Sequence, residues 1–152
     1  MNSREYLLQL FSRAAFELSS VFAKKTIGAF QEWIENEKLP AIGLLSMASS
    51  PGETKSLISF DLNFVIVAGA NYDPTEEELI VCENDAEELT NSFRYLIDNS
   101  PYINISQWNA TETFRDDSYN GIGKGLSMTI QIRDSQDYCY LKVDKLSKEC
   151  DG

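Results

Sequence analysis

The chain of 152 residues holds 24 acidic residues and no histidine. Any chemistry it performed would have to come from carboxylates, thiols, hydroxyls or lysines. Asp116-Asp117, with Glu112 nearby, has the composition of a cation site. Adjacent side chains on an extended segment point to opposite sides, however, and no EF-hand spacing is present, so a solvated acidic turn is the plainer reading. Gly121-Ile122-Gly123-Lys124-Gly125 has the glycines and lysine of a phosphate loop. It lacks the GxxxxGK(S/T) spacing and enters a strand instead of opening a helix, which makes it a flexible hairpin tip. Cys82, Cys139 and Cys150 are odd in number and far apart. They form no CxxC pair and have no histidine to activate them, so they indicate neither a zinc ribbon, a disulfide framework nor a Cys–His nucleophile. Paired carboxylates for glycoside hydrolysis need a defined separation across a cleft, and with so many acids a pair in sequence selects nothing. The expectation is a non-enzyme with no catalytic residue, cofactor or metal, and with reduced thiols in a cytosolic setting.

The charge restricts partners further. Subtracting the 24 acids from the 13 bases leaves −11, which opposes general affinity for a nucleic-acid backbone. From Asp73 to Asp98 there are nine acids against Arg94 alone, a local balance of −8. Such charge keeps a protein soluble, and it can also repel DNA or imitate it. The 43% hydrophobic content supports one self-sufficient core, and the length suits a single domain over 1–152. Charges at Arg13, Glu17, Lys24 and Lys25 interrupt the N-terminal apolar pattern, which argues against a signal peptide or a membrane span. The acceptor triplets at Asn104 and Asn109 are then accidental matches.

The elements that would position these residues follow from periodicity. Residues 3–22 read as a helix with Leu7, Phe11, Ala14, Leu18 and Val21 along its inward stripe and Phe16 on the far side. A second helix over Thr26–Lys38 is capped by Thr26, faces Ile27, Phe30 and Ile34 inward, and ends before Pro40. Ser19-Ser20 and Gly28 weaken a continuous rod through both. Ala41–Met47 is a short buried strand, and residues 49–53 are a turn. Leu57–Val67 and Lys124–Arg133 alternate apolar and polar residues, so each has one greasy and one wet face. The first becomes apolar on both faces at Val65 and Val67, which predicts cover on two sides there. Gly69–Leu79 is an acidic connection. Asn84, with Glu87 in capping-box position, starts a central helix that buries Ala86, Leu89, Phe93, Leu96 and Ile97, exposes Glu88 and Tyr95, and ends at Pro101. That helix would be about 24 Å long.

Tyr102–Trp108 is a strand of less regular alternation, with Trp108 placed in the core. Asn109–Gly123 is a long irregular loop, a final strand covers Tyr138–Val143, and 146–152 fray. The expected fold is α+β: a mainly antiparallel sheet of four to five strands in 39–145, with N-terminal helices in 1–38 and one central helix packed on one face. The second sheet face stays polar and open.

Residues suited to contacts with neighbours are Phe16, Tyr95 and Glu88 on outward helix faces. Asp116, Asp117 and Tyr119 in the 109–123 loop, a segment able to order on a partner, and Lys124 just after it join them.

This order of elements resembles the tail-terminator and tail-completion proteins of tailed bacteriophages, together with related neck and ring proteins. The features that carry the resemblance are the N-terminal helical region, Leu39-Pro40-Ala41-Ile42 entering a strand, and the amphipathic strand Ser59–Val67. The acidic linker to Asn84-Asp85-Ala86-Glu87-Glu88-Leu89, and the loop before Leu126–Arg133, complete it. The resemblance implies a virion protein, made in the host bacterial cytoplasm, that forms a ring around the DNA channel. The ring is commonly a hexamer, with a dodecamer as the other copy number. It sits between portal or connector and tail proteins, binds no membrane and has no catalytic residues. Glu76, Glu77, Glu78 and Glu88 would then line a channel through which DNA slides without specific binding. Two rivals remain: an acidic binding protein that mimics DNA or inhibits a basic host enzyme, and a small enzyme with a carboxylate site.

Overall fold

The computed structural model describes residues 2–26, 28–30, 40–52, 56–69, 75–116 and 121–133. The expected strand at Tyr138–Val143, the turn before it and the frayed tail lie outside the described residues, as does most of the helix expected over Thr26–Lys38. The chain order is α1 (Ser3–Glu17), β1 (Val21–Lys24), β2 (Ala41–Pro51), β3 (Leu57–Gly69), α2 (Glu76–Asp98), β4 (Ile103–Ala110), β5 (Phe114–Asp116) and β6 (Gly121–Arg133). The fold is α+β. The strands form a mixed sheet in the order β1-β2-β3-β6-β4, with the short β5 also on β6. Among the described strands, only β1 runs parallel to its neighbour; the other pairings are antiparallel.

Alternation decides which face of the sheet is dry. Phe60, Leu62, Phe64 and Ile66 of β3, with Leu126, Met128, Ile130 and Ile132 of β6, are buried beneath Leu7, Leu10 and Phe11 of α1 and Phe93 and Ile97 of α2. The two central strands pair without interruption from Leu57↔Arg133 to Gly69↔Gly121. On the other face, Phe30 covers Ala41, Val65 and Val67, so that end of the sheet is covered on both sides, as its two-sided apolar character predicts. Phe30 sits where Gly43 leaves room: a Cβ on Gly43 would lie 2.4 Å from its ring. Thr26 opens the turn before it, accepting from the Ala29 amide at 3.4 Å.

Four boundaries differ from the sequence reading, each for a local reason. First, α1 ends at Glu17, and Val21 and Phe22 belong to a strand instead. The stop is a Schellman motif: the Ser20 amide donates to the Ala15 carbonyl at 2.9 Å and the Ser19 amide to that of Phe16 at 3.0 Å. Ser19 takes φ 54° there, a position usually given to glycine because L residues are strained in it. Ser19→Gly is expected to raise stability by about 1 kcal/mol, read as a higher midpoint in urea unfolding. The freed chain then pairs with β2 from Val21↔Ala41 to Lys24↔Leu44, so the 1–38 region is not wholly helical.

Second, α2 starts two turns before Asn84. Thr75 is its N-cap, accepting from the Glu78 amide at 3.2 Å, and Glu76, Glu77 and Glu78 occupy the first turn, where the helix dipole favours negative charge. With 23 residues the helix is about 34 Å long. Third, β2 continues through the expected turn to Pro51. Fourth, the stretch expected as a long irregular loop is mostly one arm of a hairpin. β4, residues 111–113 and β5 run along a single edge of β6. The register slips between Ile105 and Gln107, which places Ile103, Ile105 and Trp108 together against the core. This bulge is why β4 alternates poorly in the sequence.

Candidate functional site

The two broad surfaces of the sheet–helix sandwich differ in chemistry. The open sheet face carries a row of fixed polar groups. Asn63 Nδ2 donates to Ser46 Oγ at 2.7 Å, Ser127 Oγ donates to Asn63 Oδ1 at 2.9 Å, and Thr129 Oγ1 donates to Asp61 Oδ1 at 2.8 Å. These groups border a shallow hollow of about 480 Å³ that Gln107 and Asn109 also line. Cross-strand bonds of this kind orient side chains without burying them.

The helix side is mixed. Phe16 of α1 is 64% exposed and Tyr95 of α2 is 66% exposed. The longer helix adds two residues that the sequence reading placed beside or within a linker: Ile80 and Val81, also exposed. At about 100° per residue, Ile80, Val81, Glu88 and Tyr95 fall on one outward stripe together with Glu77. The signal that would have revealed them is Thr75-Glu76-Glu77-Glu78, a capping-box pattern that begins five residues ahead of Ile80.

Eight acids lie on α2, with Arg94 its one cation. Arg94 is turned inward, its guanidinium 4.3 Å from the centre of the Trp108 ring, and its Nε is buried without a hydrogen-bond partner. It therefore does little to offset the acids outside. Glu76, Glu77 and Glu88 are exposed and Glu78 is half-buried. The three consecutive glutamates thus stand on a helix end and not in a flexible linker. Glu78 also accepts a 3.2 Å bond from the Thr75 hydroxyl.

Lys124 is a correction. Expected among the residues that meet a neighbour, it is only 8% exposed and points to the same face of β6 as Ile122 and Leu126. Its Nζ donates to the Thr111 carbonyl at 2.6 Å and lies 3.7 Å from Glu87 Oε1. The lysine ties the kink at 111–113 to α2 inside one protomer, so it is not available to a neighbour. Lys124→Met is expected to cost about 1–3 kcal/mol by leaving the Thr111 carbonyl unpaired. Glu87→Gln, at an exposed partner, should cost under about 1 kcal/mol. Urea unfolding of both variants checks the contrast.

The adjacent glycines likewise serve packing. The Phe114 ring lies across Gly123, where a Cβ would meet it at 2.5 Å, and the Thr111 hydroxyl accepts from the Gly125 amide at 2.9 Å. Gly121–Gly125 is therefore strand, paired with β3, and not a hairpin tip or a phosphate cradle. Asp116 lies in β5, while Asp117 and Tyr119 lie outside the described residues.

Cys82 is buried, with Sγ 2.7 Å from the Gly69 carbonyl. Burial, then Asp85 and Glu78, push its thiol above the ordinary value, which keeps it protonated and weakly nucleophilic at neutral pH. Among the described residues no group of three or more Cys, Asp or Glu side chains is placed to hold a metal. No described helix is long and apolar enough to cross a membrane. The sequence matches no protein-family model and no curated protein at a significant level.

Proposed function

We propose that this chain is a structural subunit that assembles with copies of itself into a ring around a DNA channel, at the neck or tail end of a phage particle. The observation that carries the reading is the outward face of α2, where Ile80, Val81 and Tyr95 are exposed in an acidic field. Exposed apolar residues grouped on one rigid helix are the usual makings of a contact surface. The element order that resembles tail terminators adds support, as does a sheet face whose polar groups are fixed by hydrogen bonds rather than converging on a reactive centre.

In this reading the role is assembly, without catalysis. A hexamer or dodecamer would abut portal or connector proteins on one side and tail proteins on the other. Acids facing the lumen would keep DNA moving through repulsion. Glu76 and Glu78, off the stripe that carries Ile80, Val81 and Tyr95, are the residues assigned there, while Glu77 and Glu88, expected there too, share that stripe and belong to the contact between copies. Immunogold labelling of the parent particle tests the placement. Label at the head–tail junction is the expected result, and label absent from particles but present on a soluble host enzyme would replace this reading with the acidic-inhibitor one.

A further inference from the structure

The proposed ring needs two different surfaces on each subunit, because contacts in a closed cycle are head-to-tail. The outward stripe of α2 is one of them. We infer that this stripe seats in the recess on the polar sheet face of the next copy. This inference rests on the ring reading and names the second surface it requires.

The recess has two ends. At one, Val65 and Val67 of β3 are buried beneath Phe30. At the other, Ser59 and its cross-strand neighbour Gln131 are buried. Between them Asp61, Asn63, Ser127, Gln107 and Asn109 stay exposed around the hollow. From Ser59 to Val65 the strand advances six residues, about 20 Å. A helix with its side chains is about 10–12 Å across, so the opening admits one helix lying across the strands.

The chemistry of the floor favours α2 as that helix. Asn63 bonds Ser46 and Ser127, and Thr129 bonds Asp61. Apolar side chains such as Ile80 and Val81 can therefore cover this floor without stranding those groups. Asp61 is the one charged residue that lines the hollow, which leaves little repulsion for a helix carrying eight acids. A contact of α2 with α2 would instead bring the acids together, which costs free energy. The Gln107 and Asn109 carboxamides have no side-chain partner among the described residues, and their N–H groups suit the carboxylates of Glu77 and Glu88.

The two surfaces lie on opposite sides of the protomer. Phe93 and Ile97 seat α2 on the sheet face that carries Phe60, Leu62 and Phe64, whereas Asp61 and Asn63 point the other way. The stripe with Ile80, Val81 and Tyr95 is turned outward from that packing. One protomer can thus offer both surfaces at once.

Two full-length variants test the seating. The first carries Gln107→Glu and Asn109→Asp; the second adds Glu77→Lys and Glu88→Lys to them. All four side chains are exposed, and circular dichroism checks that both variants fold. Self-association is read by sedimentation velocity beside the unaltered protein. Acids in the recess face the acids of α2, so the first variant should associate at least about tenfold more weakly. The second sets lysines against those acids at every contact and should return to within about threefold of the unaltered chain. If the first variant assembles like the unaltered chain, a different partner or none fills the recess and the seating is wrong. If the first is weakened but the second, folded, is not restored, another surface of the next copy enters the recess and the seating is again wrong. In both cases the ring reading stands. If the unaltered chain never associates, the ring reading fails and this inference with it.

Discussion

Phe11→Ala is expected to lower stability by about 3–5 kcal/mol, the largest effect of any single substitution considered for this protein. Phe11 is fully buried, and its ring stands edge-on to Phe64 of β3 at 5.0 Å and tilted against Phe93 of α2 at 6.2 Å. Phe64 and Phe93 are themselves 5.2 Å apart. One side chain therefore joins both helices to the centre of the sheet. Truncation would leave a cavity that three separate elements would have to collapse around. A domain of this size has only about 5–15 kcal/mol of stability in total, so the variant should lose a large part of it. Phe16→Ala, on the same helix but facing water, should change stability by no more than about 0.5 kcal/mol. Urea unfolding of the pair measures the difference. Equal costs would mean that α1 does not dock by its Phe11 face.

Gly43→Val should cost about 1–3 kcal/mol through overpacking, although valine favours strands more than glycine does. The new side chain would occupy the space now taken by the Phe30 ring, which approaches the glycine more closely than any Cβ tolerates. Expelling that ring would uncover Val65 and Val67 on the second sheet face. Combining Gly43→Val with Phe30→Ala should recover part of the loss, because the substituted residue then fills the vacated space. A double-mutant cycle detects this as a coupling of opposite sign to the single costs. Strict additivity would show that Phe30 does not rest on Gly43.

The central strands were legible because their residues have only one sensible register. Sliding Phe60-Asp61-Leu62-Asn63-Phe64 by one residue would put Asp61 and Asn63 into the core, so periodicity alone identifies the buried face. The double cover near Val65 and Val67 was legible for the same reason. β1 was not, since Val21 and Phe22 continue the apolar spacing of α1, and the serine at the helix end gives no warning comparable to glycine. The start of α2 was hidden by two patterns of the same kind. Thr75 with Glu78 and Asn84 with Glu87 both fit a capping box, and helix propensity does not choose between them. Choosing the second removed Ile80 and Val81 from the candidate surface. The burial of Lys124 was not legible, because a lysine among glycines at the start of a strand reads as solvent-exposed. Its burial depends on Thr111 and Glu87, partners contributed by two other parts of the chain.

Native mass spectrometry of the purified full-length chain across a concentration series tests the ring claim most directly. The expected result is a closed species of one fixed copy number, six or its double, that grows at the expense of monomer without intermediate open chains dominating. A protein that stays monomeric up to the highest concentrations reached, with α2 and its Ile80, Val81 and Tyr95 still open to solvent, would contradict it.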